Sequence, residues 1–148
     1  MGGNYLNSII ATQEAKRNGV DEAILLDHNE NVSEAPGENI FIVRDGQLVT
    51  PSLASSALEG ITRDAVIKIA RDLDIDVIER EIARNELVMS DEIFLTGTAA
   101  EITPIISMDS KKIGNGKPGD ITKKLMLEYT DIVMNNNDNY SHWLTVVY

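Results

Sequence analysis

The chain contains no cysteine and only two histidines, His28 and His142. Disulfides and thiolate metal sites are excluded, and the histidines stand too far apart to give a metal-ligand spacing. Positive charge is scarce: 13 Lys and Arg face 24 Asp and Glu, a net charge of -11. No basic field offsets that balance, so nucleic acid and anionic membranes are not expected partners. No apolar run approaches the roughly 20 residues of a membrane-spanning helix, and the N-terminus lacks the form of a signal peptide. A cytoplasmic setting is the expectation. Also missing are the GxxxxGKS/T phosphate loop and the Gly-x-Ser-x-Gly nucleophile turn, so nucleoside-triphosphate and serine-hydrolase chemistry lack their signatures. There is no internal repeat.

What remains is an ordinary globular composition, 148 residues with 43% apolar and 25% charged side chains, enough for one domain with a real core. Residues 4–18 read as a helix from Tyr5, Leu6, Ile9, Ile10 and Ala15, closed by Asn18-Gly19. Only Gly2-Gly3 precedes it, which leads us to expect a missing upstream segment. Residues 23–27 form a short apolar strand ended at His28, itself an exposed turn residue. Residues 40–43 and 47–50 form a hairpin around Asp45-Gly46. A second helix opens within Leu58–Asp64 and runs through Ala65, Val66, Ile69, Ala70 and Leu73, with Asp64 and Asp72 on its wet face. Residues 75–82 alternate as a strand, 84–89 make a helical turn, and 92–96 a buried strand broken by Gly97-Thr98-Ala99-Ala100. Residues 101–107 return as a strand that Pro104 assigns to an edge or bend. Residues 111–117 are a turn-rich connector. A last helix from Asp120 turns Ile121, Leu125, Leu127, Tyr129, Ile132 and Val133 inward, and residues 140–148 form a tail anchored by Trp143 and Leu144. Hairpins mixed with crossovers predict an α/β fold, a mixed sheet or pseudo-barrel with flanking helices, and not a doubly wound sheet.

Three stretches carry chemistry. In Ser33-Glu34-Ala35-Pro36-Gly37-Glu38-Asn39, a carboxylate stands just before a strand. It reads either as a solvated loop residue or as a partner for a basic ring nitrogen. In Leu58-Glu59-Gly60-Ile61-Thr62-Arg63, a glycine loop delivers backbone N–H groups and the Thr62 hydroxyl to a helix start. This is either a phosphate site or a plain N-cap made by Thr62. In Gly97-Thr98-Ala99-Ala100, small residues let backbone amides approach an anion.

Together, and in this order with Glu101-Ile102-Thr103-Pro104 after the third, these stretches resemble the fold type IV pyridoxal-phosphate enzymes. Within that family they look like the branched-chain amino acid aminotransferases. The Gly2-Gly3-Asn4-Tyr5-Leu6 opening and the 131–144 tail match the same group, and Gly37-Glu38-Asn39 separates it from the D-amino acid aminotransferase and aminodeoxychorismate lyase relatives. The resemblance implies the large domain of such an enzyme and pyridoxal 5'-phosphate as cofactor. It implies branched-chain amino acids and 2-oxoglutarate as small-molecule substrates, and a homo-oligomer. It assigns Glu34 to the pyridine nitrogen, Tyr5 to the ring oxygen and Leu58 to the ring face. Ile61, Thr62 and Thr98 would hold the phosphate, with Gly60 and Gly97 also at the cofactor, and the Thr98 and Ala99 amides would receive the substrate carboxylate. It also places the Schiff-base lysine immediately upstream of Met1, together with a small N-terminal domain absent from these 148 residues. Transamination by this chain alone is therefore not expected. The competing expectations are a D-amino acid aminotransferase or aminodeoxychorismate lyase relative, and a non-enzymatic binding or dimer-forming remnant. Loss of a partner domain would also leave an apolar face exposed and favour self-association.

Overall fold

Apolar strands that alternate faces and helices with one oily stripe must bury those surfaces against each other. The computed structural model describes residues 5–145. Residues 2–4 of the Gly-Gly-Asn opening and 146–148 of the tail lie outside the described residues. Five strands, β1 Asn39–Arg44, β2 Gln47–Thr50, β3 Val77–Glu79, β4 Glu92–Gly97 and β5 Glu101–Ile105, form one mixed sheet in the order β3-β2-β1-β4-β5. The helices are α1 Leu6–Arg17, α2 Ile61–Asp72, the single turn α3 Arg84–Leu87, and α4 Asp120–Val133.

The β1–β2 hairpin turns at Asp45 and Gly46, whose φ values of 52° and 77° give the left-handed pair that a two-residue hairpin needs. β2 and β3 run parallel, with α2 as their crossover. Pro104 does lie in the edge strand β5, paired with Phe94. On one face of the sheet Phe41 and Phe94 stack at 5.0 Å and 9°, covered by Val66, Ile69 and Ala70 of α2 and Leu125 and Ile132 of α4. On the other, Ile40, Ile42, Ile93 and Leu95 pack against Val32, Ala35, Ile82 and Leu87. Burial on both faces explains why β1 and β4 read as continuous apolar runs.

Several expectations need correction. Residues 23–27 are not a full strand: only Leu26 bridges to Val32, with the Leu25 N–H donating to the Glu34 carbonyl and the Ser33 N–H to the Leu25 carbonyl, so this is a narrow ribbon. The strand expected over 75–82 shortens to β3, three residues long. A small hairpin, β6 Ser107–Met108 with β7 Lys111–Lys112, joins the end of the expected 101–107 strand to the start of the expected connector, turned by Asp109 and Ser110, both left-handed without a glycine. In α4, Leu127 and Val133 are exposed. Leu127 lies roughly 200° around the helix from buried Leu125, so both cannot face the core. Met126 packs inward instead. Tyr5, Leu6, Ile9 and Ile10 of the α1 region are exposed too, and Ala15 alone is buried in that helix. Trp143 does dock, edge-on to Tyr140 at 4.7 Å.

The start of α4 is closed by a distant carboxylate. Glu92 of β4 accepts the N–H groups of Ile121 (3.1 Å) and Thr122 (2.7 Å) and the Thr122 hydroxyl (2.6 Å). The N-cap itself is Gly119, and a side chain there would collide with the Glu92 carboxylate.

Candidate cofactor site

The three chemical stretches meet at one end of the sheet, around Asn39. This residue begins β1, pairs in register with Thr96 of β4, and is only 6% exposed. Its Nδ2 donates to the Leu58 carbonyl at 2.8 Å and reaches Glu34 Oε2 at 3.5 Å. The Leu58 N–H donates to the same Glu34 oxygen at 2.8 Å. Glu34 Oε2 is thus anchored, while Oε1 has no protein partner among the described residues. The carboxylate is half-buried and can accept a hydrogen bond from a protonated ring nitrogen.

Next to it, α2 begins without a cap. Thr62 is not the N-cap: Gly60 is, with Ile61 first and Thr62 second in the helix. No side chain caps this end, and among the described residues the N–H groups of Ile61, Thr62 and Arg63 meet no acceptor. Gly60 cannot carry a capping side chain, since a Cβ there would strike Asn39 Oδ1. The helix start therefore keeps its open amides and its positive dipole end. Ile61 at 88% exposure and Leu58 at 69% frame it with apolar surface.

The β4–β5 turn, residues 98–100, stands beside these groups. It follows Thr96, the partner of Asn39, and closes at Glu101, which is left-handed at φ 51°. Among the described residues the N–H groups of Thr98 and Ala99 meet no acceptor either. Gly97 packs against the 37–38 segment, where a Cβ would come within 3.2 Å of the Gly37 carbonyl and Glu38 Cγ. The Thr96 hydroxyl is buried (1% exposed) on the same face as Asn39 and has no hydrogen-bond partner among the described residues. A buried hydroxyl without a partner is uncommon and leaves a donor in hand at this place.

Tyr5 is brought near but not into this cluster. It is 61% exposed and lines a groove of about 450 Å³ with Ile9, Lys16, Glu22, Pro36 and Glu38. In that groove burial raises the Glu38 carboxyl above its ordinary range. The Gly37 N–H opposes the shift and Glu22 adds to it. Asn39 and Thr96 are the residues that sequence reasoning passed over as site components. Their signal is spatial: they are polar residues paired across β1 and β4 on the face that carries Phe41 and Phe94. Among the described residues no group of His, Cys, Asp and Glu could hold a metal ion, and no helix is long and apolar enough to cross a membrane.

Two sets of open amides, a half-anchored carboxylate and a flanking apolar shelf fit a flat, phosphorylated, basic ring. Comparison with known proteins points the same way. The family model described as amino-transferase class IV matches residues 2–108. A probable branched-chain-amino-acid aminotransferase of Aquifex aeolicus is 50% identical over 149 residues, covering 100% of this chain and 48% of that protein. The structure of the Escherichia coli branched-chain amino acid aminotransferase superposes with a TM-score of 0.96 at 46% identity, over 99% of this chain and 48% of that one. The branched-chain aminotransferase from Thermoproteus uzoniensis with norvaline gives 0.95 at 51%, over 99% and 48%. The chain spans about half the length of the curated relatives it matches.

Proposed function

Since this chain belongs to the class IV amino-transferase family, we propose that it forms the large-domain half-site for pyridoxal 5'-phosphate in an enzyme that transfers amino groups between leucine, isoleucine or valine and 2-oxoglutarate. One observation carries the reading: Asn39 gathers Glu34, the uncapped start of α2 and the open β4–β5 turn at one end of the sheet.

When bound, the cofactor supplies an electron sink for the reacting carbon. The chain's own residues hold and tune it. Glu34 Oε1 keeps a proton on the ring nitrogen, an ion-pair hydrogen bond stronger than a neutral one. The Ile61 and Thr62 amides, the Thr62 hydroxyl and Thr98 receive the phosphate, favoured by the dipole of α2. Gly60 and Gly97 leave room for that approach. Leu58 covers a ring face, and Tyr5 hydrogen-bonds the ring oxygen. The Thr98 and Ala99 amides take the substrate carboxylate. The lysine that would carry the proton between carbon atoms belongs ahead of Met1 in this reading, so the transfer needs that upstream part, and the assembled enzyme is a homo-oligomer.

A protein carrying the family's upstream half joined to Met1 tests this. It should form glutamate from 2-oxoglutarate with leucine, isoleucine and valine. Turnover of D-alanine or of aminodeoxychorismate instead would move the assignment to those relatives. No turnover of any of them would sink the enzymatic reading and leave a binding remnant.

A further inference from the structure

We propose that Asn39 is a positioning residue that locks the ring-nitrogen carboxylate and the phosphate loop into one register; the inference rests on the pyridoxal-phosphate reading of the site. The Leu58 peptide is held at both ends. Its N–H goes to Glu34 Oε2 at 2.8 Å, and its carbonyl accepts from Asn39 Nδ2 at 2.8 Å. The amide orientation follows from its neighbours, because Leu58 O and the Glu34 carboxylate are both acceptors and only an NH2 group satisfies them. On its other side, Asn39 Oδ1 lies where a Gly60 side chain would begin. One buried side chain thereby fixes the peptide two residues ahead of the α2 N-cap, the N-cap itself, and the oxygen of Glu34 that is not offered to the ring.

The consequence is a division of labour within Glu34. Oε2 is committed to the protein and Oε1 is the oxygen that faces the cofactor. Without the Asn39 amide, the Leu58 carbonyl loses its donor and the carboxylate loses its second neighbour, so Glu34 can rotate and the loop ahead of Ile61 can shift. The ring-nitrogen contact and the phosphate amides would then no longer be held at one fixed spacing, which is what a rigid ligand requires.

The test uses the 148-residue chain labelled with 15N, beside Asn39→Ala and the apolar, similarly sized Asn39→Leu. Without ligand, the amide signals of Leu58 and Gly60 should shift or broaden in both variants while Val66 and Ile69 inside α2 stay in place. A packing role alone would be restored by leucine; a donor role would not. With pyridoxamine phosphate, the dissociation constant should rise about tenfold or more in both, the loss expected for a hydrogen bond to a charged network. Leu58 and Gly60 signals unmoved in Asn39→Leu, or an unchanged dissociation constant, would overturn the proposal. Should both variants unfold, Gly60→Ala presses on the same amide without removing it and must move the Leu58 signal. A wild-type chain that binds no pyridoxamine phosphate would count against the cofactor reading, while the ligand-free Leu58 and Gly60 signals still judge Asn39.

Discussion

At the start of α4, Glu92 reaches across from β4 to fill the first amides of the helix. At the start of α2, Ile61, Thr62 and Arg63 offer theirs to no protein acceptor among the described residues. The two ends are otherwise alike. Both N-caps are extended glycines, Gly60 and Gly119, and at both a Cβ would strike a polar side chain from the sheet. The difference lies in that neighbour. Glu92 turns its carboxylate into the helix end, whereas Asn39 turns its NH2 group away to Leu58. A helix start that favours an anion is completed from within the chain in one case and left open in the other.

The comparison can be broken most strongly at its closed end. Glu92→Ala removes three hydrogen bonds to a carboxylate and should cost about 3 kcal/mol of folding stability. Urea unfolding measures it, and pyridoxamine phosphate affinity of the folded fraction should not follow. At the open end the signs reverse. Ile61→Asp puts a carboxylate at the first position of α2 and should weaken pyridoxamine phosphate binding about tenfold. The same change should raise stability by about 0.5 kcal/mol through the helix dipole. Calorimetric titration and thermal melts read the two effects separately.

The opposite end of α2 sharpens the contrast, because it is tied down. Tyr140 donates to Asp72 at 2.6 Å, and burial, followed by the Asp72 hydrogen bond, pushes the Tyr140 hydroxyl up to about 12 from 10.0. A raised phenol favours the fold while it stays neutral. Its contribution is fully present below pH 10 and is lost as pH climbs toward about 12. Tyr140→Phe should lose about 1 kcal/mol at neutral pH and should unfold with a shallower pH dependence above pH 10. Denaturant melts across that range would check it.

Local signals explain which parts of this were legible. Asp45-Gly46 carried the β1–β2 hairpin, the 3.6-residue pattern carried α2, and Pro104 marked the edge strand. The β6–β7 hairpin stayed hidden because Asp109 and Ser110 adopt the left-handed turn without the glycine that usually advertises it. Residues 23–27 read as a strand by composition, but Leu26 and Val32 form only a bridge across the His28 turn. Leu127 fitted an apolar list and not a helix face. The site's residues were visible as three ordered stretches. Its geometry was not, because it depends on partners far apart in sequence: Asn39 with Leu58, 19 residues on, and Glu92 with Thr122, 30 residues on. The sequence pattern offered Thr62 as a cap because a hydroxyl at a helix start usually is one; Gly60 occupies that position because Asn39 leaves no room for a side chain.

The most direct measurement follows backbone amide signals while pyridoxamine phosphate is titrated into the chain. An α2 start and a β4–β5 turn kept open for the cofactor phosphate require the amides of Ile61, Thr62, Thr98 and Ala99 to shift together with one dissociation constant, with Ile121 and Thr122 at the Glu92-filled end unmoved. Saturating ligand that leaves the first four in place, or moves the two helix starts equally, would contradict the account.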